Sequence, residues 1–368
     1  MSNEPDFEIF LVATPGLEAP LALEVAALGW HPVTQPGGVT IRGGWPDVWR
    51  ANLMLRGATR VLARIGAFRA LHLAQLDKRA RKFPWADVLR PDLPVRVETT
   101  CRASRIYHAG AATQRIERAI AEELGAPLAP DAAIVVKARI EDDLVTISLD
   151  TTGESLHKRG HKEAVAKAPM RETMAAMFLR EMGFDGSQPV LDPMCGSGTF
   201  VIEAAEIAAG LAPGRSRGFA FEQLASFDPR AWAALRQGAV PHIPPLQFFG
   251  SDRDAGAIRM SRANAERAGV ADFTRFDCRP LAELQRPEGV PGIVIVNPPY
   301  GTRIGNKGPL YGLHATMGEL FRSRLAGWRV GLVTSEAALA RATGLPLLPG
   351  PVVAHGGLKV RLWQGEPL

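Results

Sequence analysis

The chain has 368 residues, of which 46% are apolar and 22% charged, and its net charge is +5. Such a composition fits an ordered globular protein of two or three domains and argues against a disordered or fibrous chain. No run of about 18 uncharged apolar residues is present, so no membrane span and no membrane partner are expected. The opening MSNEPDFEIF lacks the basic start and apolar core of a secretory signal. Cys101, Cys195 and Cys278 are odd in number and scattered, which suits neither a disulfide framework nor a zinc site. A cytoplasmic protein without a metal is the expectation.

In chain order, residues 7–12 (FEIFLV) read as a strand, and the periodic run from Leu17 reads as a helix stopped by Gly29. Residues 37–44 (GGVTIRGG) give a short strand between glycines. Residues 45–66 are expected to be helical, with Trp45, Val48, Trp49, Leu53 and Leu55 as apolar positions. A second unit follows: a strand at 93–100, an amphipathic helix at Thr113–Leu124 ending at Gly125, and two strands around the turn Glu141-Asp142-Asp143. These first 155 or so residues hold no catalytic constellation.

They do hold charge. Arg60, Arg64, Arg69, Lys78, Arg79, Arg81, Lys82 and Arg90 face only Asp77 and Asp87 in that stretch. A second group comprises Lys158, Arg159, Lys162, Lys167 and Arg171. Clusters of this kind suit a polyanion, because each neutralised phosphate releases counterions; a solvated surface is the alternative. Lys78, Arg79, Arg81, Lys82, Lys158, Arg159 and Lys162 are the candidate contacts, with Arg303 and Lys307 further along.

From about Lys167 strands and helices alternate: a helix in RETMAAMFLREMGF, a strand at PVLD, a glycine loop opening into a helix, then strands at LQFFGSD, PGIVIVN and WRVGLVTS, and a final edge strand at LKVRLWQ. This is the pattern of an α/β fold with a mostly parallel sheet, whose ligands bind beyond the C-terminal strand ends. The 60 residues between Asp192 and Asp252 exceed a simple strand–helix–strand unit, and the excess reads as an insertion.

Three polar clusters fall at those strand ends. In DPMCGSGT, Asp192 is followed by Pro193, Cys195, Gly196, Ser197, Gly198 and Thr199. The glycines admit close approach, and the helix opening at Thr199 offers N–H groups to an anion. The spacing is neither a dinucleotide fingerprint nor a P-loop. A ligand carboxylate would suit the N–H groups and Asp192 would suit an ammonium, which together describe an α-amino acid. Asp252, beside Arg253, can accept the hydroxyls of a ribose; Asp254 reads as a helix cap. Asp277, followed by Cys278, can accept from an adenine amine. In NPPYG, Asn297 and the Pro298 carbonyl can both accept from an exocyclic amine, Pro299 stiffens the turn, and Tyr300 can stack on a base.

Taken together, DPMCGSGT, GSDRD, FDCR and NPPYGTR resemble a class I S-adenosylmethionine-dependent methyltransferase acting on an exocyclic amine, over residues 160–368. ESLHKRGHK followed by APMRETMAA resembles the junction between a THUMP domain and its methyltransferase. The resemblance implies a Rossmann-like seven-stranded methyltransferase domain preceded by a ferredoxin-like module at 1–60 and a THUMP RNA-binding domain at 61–155. It implies S-adenosyl-L-methionine as cofactor, held by the residues of the first three clusters, and a target base held by Asn297–Tyr300. It points to the bacterial 23S ribosomal RNA guanine-N2 methyltransferases, in a single-activity form given the end at Leu368, acting on RNA as a monomer or weak dimer. A tRNA guanine, an adenine N6 amine and, outside enzymes, an RNA-binding assembly factor are the alternatives.

Overall fold

The computed structural model describes residues 6–163, 170–238, 241–300 and 308–368. Its first half contains β1 (Phe7–Val12), α1 (Glu18–Ala27), β2 (Val33–Gln35), β3 (Gly38–Gly43), α2 (Trp45–Met54), β4 (Arg60–Arg69), α3 (Leu73–Arg81), β5 (Val95–Arg102), α4 (Ala109–Leu124), β6 (Ile134–Glu141) and β7 (Leu144–Asp150). These strands form one seven-stranded sheet in the order β2-β3-β1-β4-β7-β6-β5. Only β5 and β6 run parallel. β4 pairs with β1 on one side and with β7 on the other, so the sheet is unbroken across residue 60.

The helix expected over 45–66 ends at Met54, and its second half is instead the strand β4. The reason is periodicity: Val61 and Ala63 alternate with half-exposed neighbours and are fully buried on one face. Apolar content over 45–66 does not by itself separate that two-residue repeat from the helical one before it.

The second half contains α5 (Glu172–Glu181), β8 (Val190–Asp192), α6 (Thr199–Ala208), α7 (Pro229–Gln237), β9 (Phe248–Asp252), α8 (Ala255–Ala268), β10 (Thr274–Cys278), β11 (Ile293–Val296), α9 (Gly308–Arg324), β12 (Arg329–Thr334), α10 (Ala337–Ala342), β13 (Leu348–Pro349), β14 (Val353–His355) and β15 (Leu358–Gly365). The order β10-β9-β8-β11-β12-β15-β13 is parallel from β10 to β12 and antiparallel at β15. All four residues of β11 are fully buried, as a strand covered on both faces requires. β15 is not the edge strand the sequence suggested: it lies between β12 and β13 and turns back on itself to form a hairpin with β14. Strand order reverses between β8 and β11, so the ligand crevice of this sheet opens beyond Asp192 and Asn297.

The excess between β8 and β9 adds no strand among the described residues. Its aromatic side chains pack on α2: Phe221 and Phe227 lie 6.2 and 5.9 Å from Trp49, ring centre to ring centre. A buried ionic cluster joins the halves more firmly. Arg56 of the first half donates to Glu203 of α6 at 3.1 Å, Arg159 donates to the same carboxylate at 3.0 Å, and Arg215 reaches Glu206 at 2.5 Å. Gly16 closes the contact elsewhere: a Cβ there would stand 2.1 Å from the Val352 carbonyl oxygen, just before β14.

Candidate active site

One cavity of about 1650 Å³ opens at the crevice. Pockets for a single small ligand are usually about 300–1,000 Å³, so this one has room for two. Pro193, Met194 and Gly196 from the glycine loop, Asp252 and Arg253 behind β9, and Asn297, Pro298, Pro299 and Tyr300 behind β11 all line it. Three strand ends thus converge on one space.

The glycine loop is held from below. Gly198 stands at φ +85° as the cap of α6, a conformation that favours glycine. A Cβ there would also press on Ser261, Ile202 and Phe276 at 3.1 to 3.2 Å. The Gly196 N–H donates to Asp252 Oδ2 at 3.1 Å, and Ser261 Oγ donates to the Gly196 carbonyl at 2.8 Å. Asn264 donates to the Ser197 carbonyl at 3.1 Å. Cys195, Ser197, Gly198 and Thr199 therefore shape the loop from beneath the cavity, and Cys195 is buried with its thiol pushed well up by desolvation.

Lys162 adds a tie that the sequence did not announce. Its Nζ donates to Thr199 Oγ1 at 2.8 Å and pairs with Glu172 at 2.8 Å, so the junction between the halves grips the first residue of α6.

Asp192 is 2% exposed; its carboxylate accepts from the Met194 N–H at 3.0 Å, and it has no cationic partner among the described residues. Burial pushes its pKa up to about 8, against the Met194 hydrogen bond and with a contribution from the Asp252 charge. Asp192 itself is outside the cavity lining, which starts at the adjoining Pro193 and Met194, and a buried carboxyl without a counterion can pair with an ammonium. Asp252 accepts from Gly196 and, at 2.9 Å, from the Asp254 N–H, which leaves lone pairs for two hydroxyls. Asp254 caps α8 through the Gly256 N–H at 2.7 Å.

Asn297 Oδ1 is buried and has no hydrogen-bond partner among the described residues. An acceptor so placed is fitted to a donor brought by a ligand. Tyr300 is half-buried, and desolvation raises its hydroxyl pKa to about 12, so it stays neutral.

Other sequence candidates stand apart. Asp277 and Cys278 are exposed and outside the cavity lining; Asp277 pairs with Arg279 at 3.0 Å, and Pro280, Leu281 and Ala282 line that side instead. Arg159 is 1% exposed and occupied by Glu203 and two carbonyls, so it presents no charge to a polyanion. Lys162 is committed to Glu172 and Thr199, and Arg81 to Asp77, Glu122 and Glu123. Pairing within the fold removes these three from the RNA-facing set. Lys78, Arg79 and Lys82 are exposed on or beside α3, and Lys158 is exposed at the cavity. Arg303, Lys307 and Lys167 lie outside the described residues. The His355–Leu358 turn also lines the cavity. No sequence signal marked it beyond two adjacent glycines.

Residues 159–346 match the family model described as RMKL-like, methyltransferase domain, and residues 8–62 match the RlmL ferredoxin-like domain. A Synechocystis protein provisionally named as an RNA methyltransferase is 30% identical, over 97% of this chain and 96% of its own. The ribosomal RNA large subunit methyltransferase K/L of Syntrophotalea carbinolica is 33% identical over 96% of this chain, which spans 53% of that protein. Among solved structures, a Listeria monocytogenes protein described as a predicted N6-adenine-specific DNA methylase superposes with a TM-score of 0.88 at 31% identity, covering 99% and 97% of the two chains. A second, SMU.472, provisionally named as a methyltransferase and complexed with S-adenosylhomocysteine, gives 0.86 at 28% identity over 99% of each chain.

Proposed function

The chain belongs to the RMKL-like methyltransferase family, and on that premise we propose that it methylates the exocyclic N2 amine of a guanine in RNA, with ribosomal RNA of the large subunit as the favoured substrate. Its cofactor is S-adenosylmethionine, which when bound supplies an electrophilic methyl group. The observation that carries the reading is the orphan acceptor Asn297 Oδ1, buried in a cavity with room for a second ligand beside the cofactor.

The residues present suit that pair of ligands. Asp192 would take the ammonium of the cofactor's amino acid, the loop from Gly196 into α6 its carboxylate, and Asp252 its ribose. Asn297 Oδ1 and the Pro298 carbonyl would accept both hydrogens of the base amine. So held, the nitrogen's lone pair leaves the ring plane and points toward the cofactor side of the cavity, while Tyr300 stacks on the base. Catalysis is by positioning, and the extra proton leaves after transfer, when the nitrogen is cationic. The relatives' names support an RNA substrate, and the exposed basic residues around α3 suit one; we read residues 61–155 as a THUMP domain on the resemblance of the junction that follows it.

The test is tritiated methyl transfer to total RNA from cells lacking the protein, followed by mapping of the labelled base. Asn297→Ala should abolish transfer and leave cofactor binding by calorimetry close to wild type; full activity in that variant would overturn the assignment. The name of the Listeria relative keeps adenine N6 as the competing target, and label on an adenine would decide for it.

A further inference from the structure

The cavity wall that includes the junction is crowded with cations whose charges are mostly spoken for. Lys158 pairs with Glu154 at 2.7 Å and Lys162 with Glu172 at 2.8 Å. Arg171, at the head of α5, is the exception: it is exposed to the cavity and its guanidinium has no hydrogen-bond or ion-pair partner among the described residues. His355, at the end of β14, lines the same space, and its Nδ1 is buried without a hydrogen-bond partner among the described residues. Beside it Gly356 and Gly357 turn the hairpin at φ +54° and +83°, with nothing within 4 Å of where a Cβ would stand. An unpartnered guanidinium and a half-buried imidazole therefore line one space beside an open turn, with the imidazole Nδ1 turned away from solvent.

The electrostatics agree with that placement. Burial lowers the proton affinity of both His157 and His355, and for each of them Arg171 is the charge that lowers it most. The imidazoles are neutral at pH 7 and able to donate. Glu154 and Glu172 on the same wall are taken up by Lys158 and Lys162, which leaves Arg171 without an anionic partner among the described residues.

We propose that Arg171 and His355 form a phosphodiester-binding subsite that seats a backbone phosphate adjoining the base held by Asn297 and Tyr300. This deepens the nucleic-acid reading above and rests on it. A phosphate matches the planar fork of arginine bidentately, and the imidazole N–H adds a third donor. Fixing a phosphate next to the base restricts rotation of the flipped nucleotide, which is what a site that works by positioning requires. Lys78, Arg79 and Lys82, on or beside α3, do not line this cavity.

The proposal can be tested with small probes and the intact protein saturated with S-adenosylhomocysteine. Guanosine and guanosine 3′,5′-bisphosphate are titrated by calorimetry into wild type, Arg171→Gln and Arg171→Lys. In wild type the bisphosphate should bind roughly tenfold or more tightly than the nucleoside, the scale of a charge-assisted bidentate contact. Arg171→Gln should remove most of that advantage, Arg171→Lys should keep part of it, and S-adenosylmethionine should bind all three proteins alike. Equal affinity of the two probes for wild type, including no binding of either, overturns the subsite. So does an advantage that survives in Arg171→Gln. Weakened S-adenosylmethionine binding in that variant also overturns it, by assigning Arg171 to the cofactor carboxylate. Adenosine and its 3′,5′-bisphosphate form the separating arm: if they bind with the same phosphate advantage and the guanosine pair does not bind, the subsite stands and the guanine reading falls.

Discussion

Arg159 and Glu203 face each other at 3.0 Å, each with a side chain only 1% exposed. Burial opposes ionisation of Glu203, yet Arg159 and Arg56 together hold its carboxyl below the usual range. Glu203 sits one turn inside α6, the helix that opens at the glycine loop, whereas Arg56 belongs to the other half of the molecule. The loop's position is thus referred to the N-terminal half through charge.

Removing one member of such a group strands another in a buried site. Arg159→Leu should destabilise the fold by about 3–5 kcal/mol, the range for breaking a buried pair from one side. Urea denaturation gives the number, and a loss under about 1 kcal/mol would show the pair to be dispensable.

Lys162 makes a second link, to Thr199. Lys162→Ala leaves the buried Glu172 without its partner and frees the start of α6. S-adenosylmethionine should bind roughly tenfold more weakly, from the loss of a charge-assisted contact, with no change in which base is methylated. Calorimetry and base mapping on the same variant separate the two effects.

The position of Gly198 makes a backbone prediction. Alanine at φ +85° costs about 1–2 kcal/mol from conformation alone, before its contacts with Ser261, Ile202 and Phe276. Gly198→Ala should lower the melting temperature and weaken cofactor binding together, whereas Gly269→Ala, also at positive φ but in open space and far from the loop, should lower the melting temperature only.

The acidity of Asp192 sets a pH dependence. Its carboxyl, near 3.8 in an unfolded chain, titrates at about 8 when folded without ligand. A raised value means that the protonated form favours folding: this contribution is complete below about pH 4 and is lost as pH rises toward 8. A cofactor ammonium instead selects the carboxylate. S-adenosylmethionine affinity should therefore rise between pH 6 and 8 and level off above, with a proton released on binding. Asp192→Asn should flatten that profile, and calorimetry in buffers of different ionisation enthalpy reads the proton directly.

Much of this was legible in the sequence because strand ends concentrate polar residues behind apolar runs. Asp192, Asp252 and Asn297 each follow such a run, and their convergence needs only a parallel sheet and its switch point. What sequence could not supply was pairing. Arg159 and Lys158 are adjacent in a basic run, yet one is buried against Glu203 and the other is exposed, because a carboxylate 44 positions away decides between them. β4 is obscured for a related reason: its alternation begins six residues after a helix ends, and Leu55 serves the core in either reading. His355 lies in a two-residue hairpin closed by Gly356 and Gly357, and only the fold brings that hairpin to the cavity.

The pairing of β4 with β7 carries a consequence for how the molecule is made. β1 and β3 can associate early in synthesis, but β4 has one edge open until Leu144–Asp150 has been synthesised, about 80 residues after β4 itself is complete. An unpaired edge of that length invites pairing with another nascent chain. Arg60 and Arg64 lie on its half-exposed face, and charge at such positions is one way natural sheets discourage edge pairing.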